Sequence, residues 1–380
     1  MYDLIIIGGG PSGSAAGRAA GKMGLRTLLL EKETFPRYKP CGGAFSEQAM
    51  SCLDFDVPQS IIERDVFGAR VHFRGQVIEK HKEYRISTIV TRSVLDNHLL
   101  EKARETGIEV RTGERVIDYR ENQGFVEVFS QTGSYRARFL IVAEGAHGRL
   151  KYRVRRRDNK DEYGICLVTE IEEDNQLIDR YIRGAIDIHF GVANLGYGWI
   201  FPHENYFSVG IGGTARDLTD PKKIMTDFLH ANGFKEKYKW KAHLIPAGGI
   251  KRKLVGSRVL LVGDAAGFVD SFYGEGIAYA IRSGQLAAEI ISEILLENKK
   301  LSRLQDYQAA TESEFGRNLR YSLKLSRLMH RFPGIFFKIF TGNEEVIDKY
   351  LEVPALRSSY KSYLKWLIPR VPKYLLRGSR

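Results

Sequence analysis

The run Gly8-Gly9-Gly10-Pro11-Ser12-Gly13 follows a short apolar stretch at residues 3–7 and leads into an Ala- and Gly-rich stretch at residues 11–23. Its spacing is G-x-G-x-x-G, and the flanks predict a strand, a tight turn and a helix, with a second strand at residues 26–30. Gly8 permits the turn, Gly10 lets bare backbone approach a pyrophosphate, and Gly13 lets the helix sit close to the sheet. Pro11 and Ser12 belong to the same turn, where unpaired amides and the helix dipole favour anionic phosphate. Glu31 closes the second strand, where a carboxylate accepts hydrogen bonds from both hydroxyls of an adenosine ribose and repels a ribose phosphate; Lys32 adjoins it. A ligand-free Gly-rich turn is the bland alternative, and the fingerprint by itself does not separate FAD from NAD.

A second segment makes that separation. Residues 258–262 are a strand pattern that breaks into Gly263-Asp264-Ala265-Ala266-Gly267, and Gly274-Glu275-Gly276-Ile277 opens the next helical stretch. FAD needs such a site, because its ribityl chain extends past the pyrophosphate. Asp264 is suited to a ribityl hydroxyl, and backbone at Gly274, Gly276 and Ile277 is suited to lie against the flavin ring, with the helix start favouring negative charge on reduced flavin. The alternative for Asp264 is an ordinary helix N-cap. Arg92 precedes a helical pattern at residues 93–105 and is a candidate pyrophosphate partner or a solvated surface arginine.

The chain therefore reads as α/β, in the α+β arrangement of a Rossmann-like FAD-binding domain with an inserted, mainly antiparallel β domain and a helical C-terminal tail. The expected division is 1–60, 86–150 and 250–298 for the flavin domain, 61–85 and 151–249 for the substrate domain, and 299–380 for a basic helical region. A length of 380 residues suits two lobes and an appendage. No apolar run approaches the ~20 residues of a membrane-spanning helix, and the N-terminus runs directly into a strand, so a cytoplasmic location is the expectation. Cys41, Cys52 and Cys166 lack metal-ligand spacing, which argues against a zinc site and a disulfide framework.

Beyond the two flavin segments, Phe35-Pro36-Arg37-Tyr38-Lys39-Pro40-Cys41-Gly42-Gly43 and Tyr197-Gly198-Trp199-Ile200-Phe201-Pro202 complete a pattern over residues 1–296 that resembles the geranylgeranyl reductase family, within the p-hydroxybenzoate hydroxylase-like flavoproteins. The first stretch looks like the family's cysteine-glycine-glycine loop near the flavin, which implies cofactor contacts at Cys41 and Gly42. The second matches Y-x-W-x-F-P of its substrate-cavity motif. Two positions depart: Asn194 stands where the motif begins with proline, and Glu144 stands where the superfamily has the aspartate of an aspartate-glycine pair.

The resemblance implies an FAD-dependent reductase that saturates isolated C=C bonds of a geranylgeranyl or longer polyprenyl chain. Flavin N5 would supply hydride, and a proton would follow. Phe190, Tyr197, Trp199, Phe201 and Pro202 would wall the substrate cavity, and Cys41 would stand at the reacting face and assist proton delivery. A core aromatic strand and a small packing residue are the respective alternatives. No second fingerprint is evident, so electrons would come from NAD(P)H docked without its own domain or from a ferredoxin-like protein. Two rival functions share the scaffold: a flavin monooxygenase or halogenase, the latter carrying W-x-W-x-I-P at this strand, and a non-catalytic flavin-bearing membrane-surface protein.

The formal charge of +12 is concentrated at one end: residues 299–380 hold 17 Lys plus Arg against 7 Asp plus Glu, a surplus of 10. Arg317, Arg320, Lys324, Arg327 and Arg331 share one helix stripe, with Tyr321, Leu325, Leu328 and Phe332 beside it. Phe336, Phe337, Tyr360, Tyr363, Trp366 and Tyr374 continue that character. Adjacent cationic and apolar stripes suit peripheral attachment to an anionic membrane, such as the inner face of the cytoplasmic membrane, better than nucleic acid. The alternative is that the apolar stripe packs on the protein.

Overall fold

Leu4, Ile5, Ile6, Leu28 and Leu29 are fully buried because the strands Tyr2–Ile7 and Thr27–Leu30 run parallel inside a sheet covered on both faces. The computed structural model describes residues 1–194, 196–235 and 238–377, and of these the side chains of all but 341, 376 and 377. Contacts divide the chain into two units: Met1–Lys39 with Ser93–Asp158 and Pro246–Arg320, and Pro40–Arg92 with Asn159–Ile245 and Tyr321–Arg380.

In the first unit, Tyr2–Ile7 pairs in parallel with Thr27–Leu30 on one side and with Ser134–Val142 on the other. Ser134–Val142 in turn pairs in parallel with Val259–Leu261, so the two glycine-rich segments rise from one sheet although some 250 residues separate them. The helix Pro11–Lys22 packs along the helix Ile277–Leu296 so closely that a Cβ on Gly284 would overlap the backbone oxygen of Ser12. The strand after residue 258 does not run straight into that long helix. It gives a single turn, Gly263–Ala266, closed by Gly267 at φ +84°, and a loop intervenes before Ile277.

The second unit is built on a seven-stranded sheet in the order Lys241–Pro246, Tyr163–Glu172, Tyr206–Thr214, Gly196–Pro202, Ala185–Phe190, Gly68–Phe73 and Gln76–His81. The helices Asn175–Tyr181 and Pro221–Ala231 contribute Ile178, Met225, Phe228 and Leu229 to the core on one face. A small antiparallel sheet joins Ala44–Ser46, Ser87–Val90 and Ile62–Val66. That pairing draws residues 40–60 and 86–92, expected with the flavin domain, into the second unit.

The C-terminal 82 residues are not an appendage. Leu304, Tyr307, Phe315 and Leu319 join the first unit's core. From Tyr321 onward the chain packs into the second unit, where Phe337 stacks on Phe73 at 3.9 Å between ring centroids and Lys82 pairs with Asp348 at 2.6 Å. The aromatic residues expected to face a membrane are instead largely interior. Phe336, Phe337, Tyr360, Tyr363 and Tyr374 are all buried, in a chain of ring contacts through Phe340 and Tyr350 that stabilises them more than exposure would. Among the described residues no helix is long and apolar enough to cross a membrane.

Substituting Gly284 by Val forces the two long helices apart. It is expected to destabilise the first unit by about 1–3 kcal/mol, measured by urea denaturation, whereas Gly334→Ala, in the helix Pro333–Gly342 with no atom within 4 Å of the added Cβ, holds or slightly raises stability.

Candidate functional site

The first unit assembles the glycine turn from both ends. Gly8 has φ +107°, and a Cβ there would overlap the carbonyl of Ala143, while a Cβ on Gly13 would overlap the carbonyl of Gly8. These two positions must be glycine. Pro11 opens the helix, and no side chain caps its N-terminus at Gly10. Glu31 is buried; its carboxylate accepts from the backbone N–H of Gly9 at 2.6 Å and of Glu33 at 2.8 Å, which holds the acid at the end of its strand beside the turn. Lys32 is half exposed and pairs with Glu33 at 3.4 Å, so its side chain turns to solvent.

The second glycine segment meets the first. Gly263, at φ +56°, lies against Ser12, whose Oγ would sit 2.8 Å from an added Cβ, and its N–H donates to Ser283 Oγ at 2.9 Å. Asp264 does not act as an N-cap, since that position is Val262. Its carboxylate faces Gly276, at the start of the long helix, 3.7 Å from where a Cβ would stand. Gly274 is left-handed, at φ +82°, and Glu275 accepts from the N–H of Ala278 at 3.0 Å, so Gly274, Gly276 and Ile277 form the entry to that helix. The turn is braced by a buried network: Arg155 Nε donates to Ala265 O at 3.1 Å, and Arg155 and Arg252 both pair with Asp158, at 2.7 and 2.8 Å.

Arg37 is the residue that sequence reasoning passed over. Its guanidinium pairs with fully buried Asp96 at 2.9 Å and lies over the Phe35 ring at 4.8 Å. Nη2 stands 3.6 Å from the open Cβ position of Gly10, and Nη1 is buried with no hydrogen-bond partner. An unsatisfied buried donor on a cation beside a phosphate-binding turn is arranged for an anion. The signal was an arginine two residues after Phe35, in a stretch read only for its cysteine and glycines. Arg92, the residue nominated for that role, is buried at the start of the helix Arg92–Arg104, so it is not a solvated surface arginine.

Glu144, the departure from aspartate, has a structural partner set. Its Oε1 accepts from Lys151 N at 2.7 Å, and burial raises its pKa against backbone hydrogen bonds from residues 149–151. Lys151 Nζ donates to Gly145 O and Ala146 O, at 3.1 and 2.5 Å, and burial pulls this ammonium down to about 8.

In the second unit, strand register builds an aromatic wall. Trp199 lies opposite Ile188 on one side and Gly210 on the other; Tyr197 lies opposite Phe190 and Gly212; Phe201 lies opposite Ser208. All of these share one face, because alternate residues of a strand point the same way. The small residues Ser208, Gly210 and Gly212 leave room for rings: a Cβ on Gly210 would overlap the Trp199 indole. Val209 and Ile211, which alternate with them, belong to the core on the other face. Trp199 is buried, with Tyr197, Phe201, Cys166 and Val168 around it, and Pro202 ends the strand. Phe190 meets the Tyr197 ring edge-on at 6.1 Å and packs on Phe337 at 5.1 Å and Phe340 at 6.1 Å.

The Cys41-Gly42-Gly43 loop lies across the Phe201 end of this wall. A Cβ on Gly42 would stand 2.7 Å from Phe201 and 3.3 Å from the Trp199 Nε1, and Ser208 Oγ donates to Cys41 O at 3.2 Å. Cys41 is half-buried, and its sulfur accepts from Gly43 N–H at 3.4 Å. His203, the residue after the motif, holds the loop: Nε2 meets Gly42 O at 3.1 Å and Nδ1 meets Glu63 at 2.7 Å. Burial raises the Glu63 pKa, but hydrogen bonds from His203 and Thr91 and the charge of His203 outweigh it, and the net shift is downward.

On the opposite face His72, Asp187 and His189 offer ligand atoms within 4.8 Å of one another. Arg70 already forks the carboxylate of Asp187 at 2.5 and 2.6 Å, and the two imidazoles stack 3.9 Å apart and 10° from parallel. In-plane lone pairs of stacked rings do not converge on one ion; Arg70 and Asp187 form an ion pair that ties two paired strands, and burial holds the adjoining His189 down at about 4.

Comparison with known proteins agrees with this construction. Residues 1–319 match the family described as FAD binding domain, which sets the chain among FAD-dependent oxidoreductases. The chloroplastic geranylgeranyl diphosphate reductase of Arabidopsis thaliana is 31% identical over 391 residues, covering 95% of this chain and 80% of that protein. The digeranylgeranylglycerophospholipid reductase of Methanocaldococcus jannaschii is 26% identical, with 99% and 97% covered. A geranylgeranyl bacteriochlorophyll reductase-like protein of Thermoplasma acidophilum has the same fold, at a TM-score of 0.81 and 23% identity over 99% of each chain. The chain belongs to the geranylgeranyl reductase family, and its cofactor is FAD.

The first unit fits that cofactor on its own chemistry: a bare turn at Gly10, an orphaned guanidinium N–H beside it, an acid at the end of the second strand and a second acid at the Gly263 turn. Arg37→Lys keeps a cation for Asp96 but loses the fork, and is expected to weaken FAD binding about tenfold, near 1.4 kcal/mol, measured by quenching of flavin fluorescence. The depressed Glu63 carboxyl contributes stability that is present above its ordinary value of 4.5 and is lost as pH falls through the folded value. Acid unfolding of Glu63→Gln is therefore expected to show a shallower dependence on pH below 4.5 than the parent protein.

Proposed function

We propose that this enzyme saturates isolated C=C bonds of a geranylgeranyl or longer polyprenyl chain carried on a lipid or quinone-like headgroup. The observation that carries the reading is the wall of Trp199, Tyr197 and Phe201 over Ser208, Gly210 and Gly212, with the Cys41 loop across one end. Two relatives that align over nearly the whole chain are reductases named for geranylgeranyl compounds, which supports the substrate class.

Held at the Gly10 turn beside Arg37 and at the Gly263 turn, reduced FAD would supply a hydride to one alkene carbon, with NAD(P)H or a ferredoxin-like iron-sulfur protein as the electron donor. The remaining work belongs to the chain. Trp199 and Phe201 offer apolar ring faces that exclude water from a chain with no polar group to hold. The Cys41 thiol gives its proton to the second carbon as the C–H bond forms, and is reprotonated from solvent. Gly42 keeps this loop close to the rings, and His203 with Glu63 holds its carbonyl in place.

Flavin-dependent halogenases share the fold, as a brominase with a TM-score of 0.71 at 18% identity shows. Where halogenases carry W-x-W-x-I-P, this strand has Tyr197 and Phe201 at the first and fifth positions, which favours the reductase. Incubating the reduced holoenzyme with a geranylgeranyl lipid under anaerobic conditions is expected to add two hydrogens per bond, read by mass spectrometry. Oxygen-dependent addition of oxygen or halogen refutes the reading. Cys41→Ala is expected to lower the rate about 100-fold or more, and unchanged turnover in that variant removes the thiol from the mechanism.

A further inference from the structure

The helix Arg317–Arg331 does not present its sides as the two stripes in its sequence suggest. Leu325 and Met329 are buried, at 1% and 2% exposure, and the next helix, Pro333–Gly342, buries Phe336, Phe337 and Ile339. The corner between the helices keeps three large apolar side chains in water: Leu328 is 49% exposed, Phe332 46% and Ile335 51%. Lys324, Arg327, Arg331 and Lys338 are exposed around them, and Arg331 lies over the Phe332 ring. From residue 317 to residue 338 there are 6 Lys plus Arg and no Asp or Glu.

We infer that this corner is a docking surface for an anionic lipid bilayer. The three apolar side chains enter the acyl boundary, and the surrounding ammonium and guanidinium groups engage phosphate headgroups. Charge chooses among occupants. A second copy of the chain would set this cationic rim against its own image, with no acid in the segment to offset it. A nucleic acid would satisfy the cations and leave Leu328, Phe332 and Ile335 in water. An anionic bilayer meets both requirements. The buried Leu325 and Met329 fix the orientation, because they hold the side of the helix that adjoins Leu328 to the protein and leave Lys324, Arg327 and Arg331 outward.

Sedimentation of the full-length FAD-bound protein with vesicles tests this. Binding is expected to vesicles of phosphatidylcholine mixed with phosphatidylglycerol, to be weak on phosphatidylcholine alone, and to fall in 1 M salt, where the screening length is about 3 Å. The exposed-residue variant Leu328→Ser with Phe332→Ser and Ile335→Ser is expected to bind at least about tenfold more weakly, a difference of ~1.4 kcal/mol. Lys324→Gln with Arg327→Gln and Arg331→Gln is expected to lose the salt dependence. No binding by the parent protein, equal binding to both vesicle types, or unchanged binding by the serine variant overturns the inference. So does lipid-independent dimerisation that the serine variant abolishes in sedimentation-velocity runs. Because the assay reads mass on vesicles rather than turnover, its failure leaves the reductase reading untouched, and reduction of detergent-dispersed lipid tests that reading separately.

Discussion

The parallel pairing of Ser134–Val142 with Tyr2–Ile7 on one side and Val259–Leu261 on the other is the constraint from which the nucleotide site follows. Parallel neighbours end at the same edge of a sheet, so two turns far apart in sequence are delivered to the same place. Packing then fixes their separation: Gly284 on the long helix lets the first helix approach, and Ser12 reaches Gly263. The arrangement has no slack, because the atoms that would be displaced by side chains at Gly8, Gly13 and Gly284 are backbone atoms.

Most of this was legible. A glycine fingerprint between a strand and a helix, an acid at the end of the next strand and a second strand breaking at Gly263-Asp264 are local signals, and each reports a local backbone requirement. What could not be read was the partner of each turn. Arg37 sits beside Gly10 because of a chain path that no periodicity encodes, and its pairing with Asp96 spans 59 positions. Arg155 reaches the second turn at Ala265 across 110 positions, and Arg252 joins it through Asp158 across 94.

The aromatic wall was half legible. Its rings were visible in Tyr197, Trp199 and Phe201, but a ring lining a groove and a ring filling a core have the same sequence signature. What makes room for the rings lies in the neighbouring strand, where Ser208, Gly210 and Gly212 alternate with Val209 and Ile211. His203 was missed for a related reason, since a single histidine after a motif carries no sign of what it faces. The tail misled in a different way. Its aromatic residues looked like an interfacial belt, yet they meet one another and the sheet through the Phe73–Phe337 stack, while the helix corner at Leu328, Phe332 and Ile335 is left uncovered.

The wall's construction divides labour between stiff and movable parts. The Trp199 indole rests over Gly210 of a neighbouring strand, and both are tied into a ladder of inter-strand hydrogen bonds, so the ring cannot tilt without disturbing the pleat beneath it. The Cys41 loop, in contrast, is held by single polar contacts, from Ser208, His203 and the Val90 N–H. Rigidity at this end of the wall therefore belongs to the strands, and the loop is the part whose position a substitution at Ser208 or His203 would release.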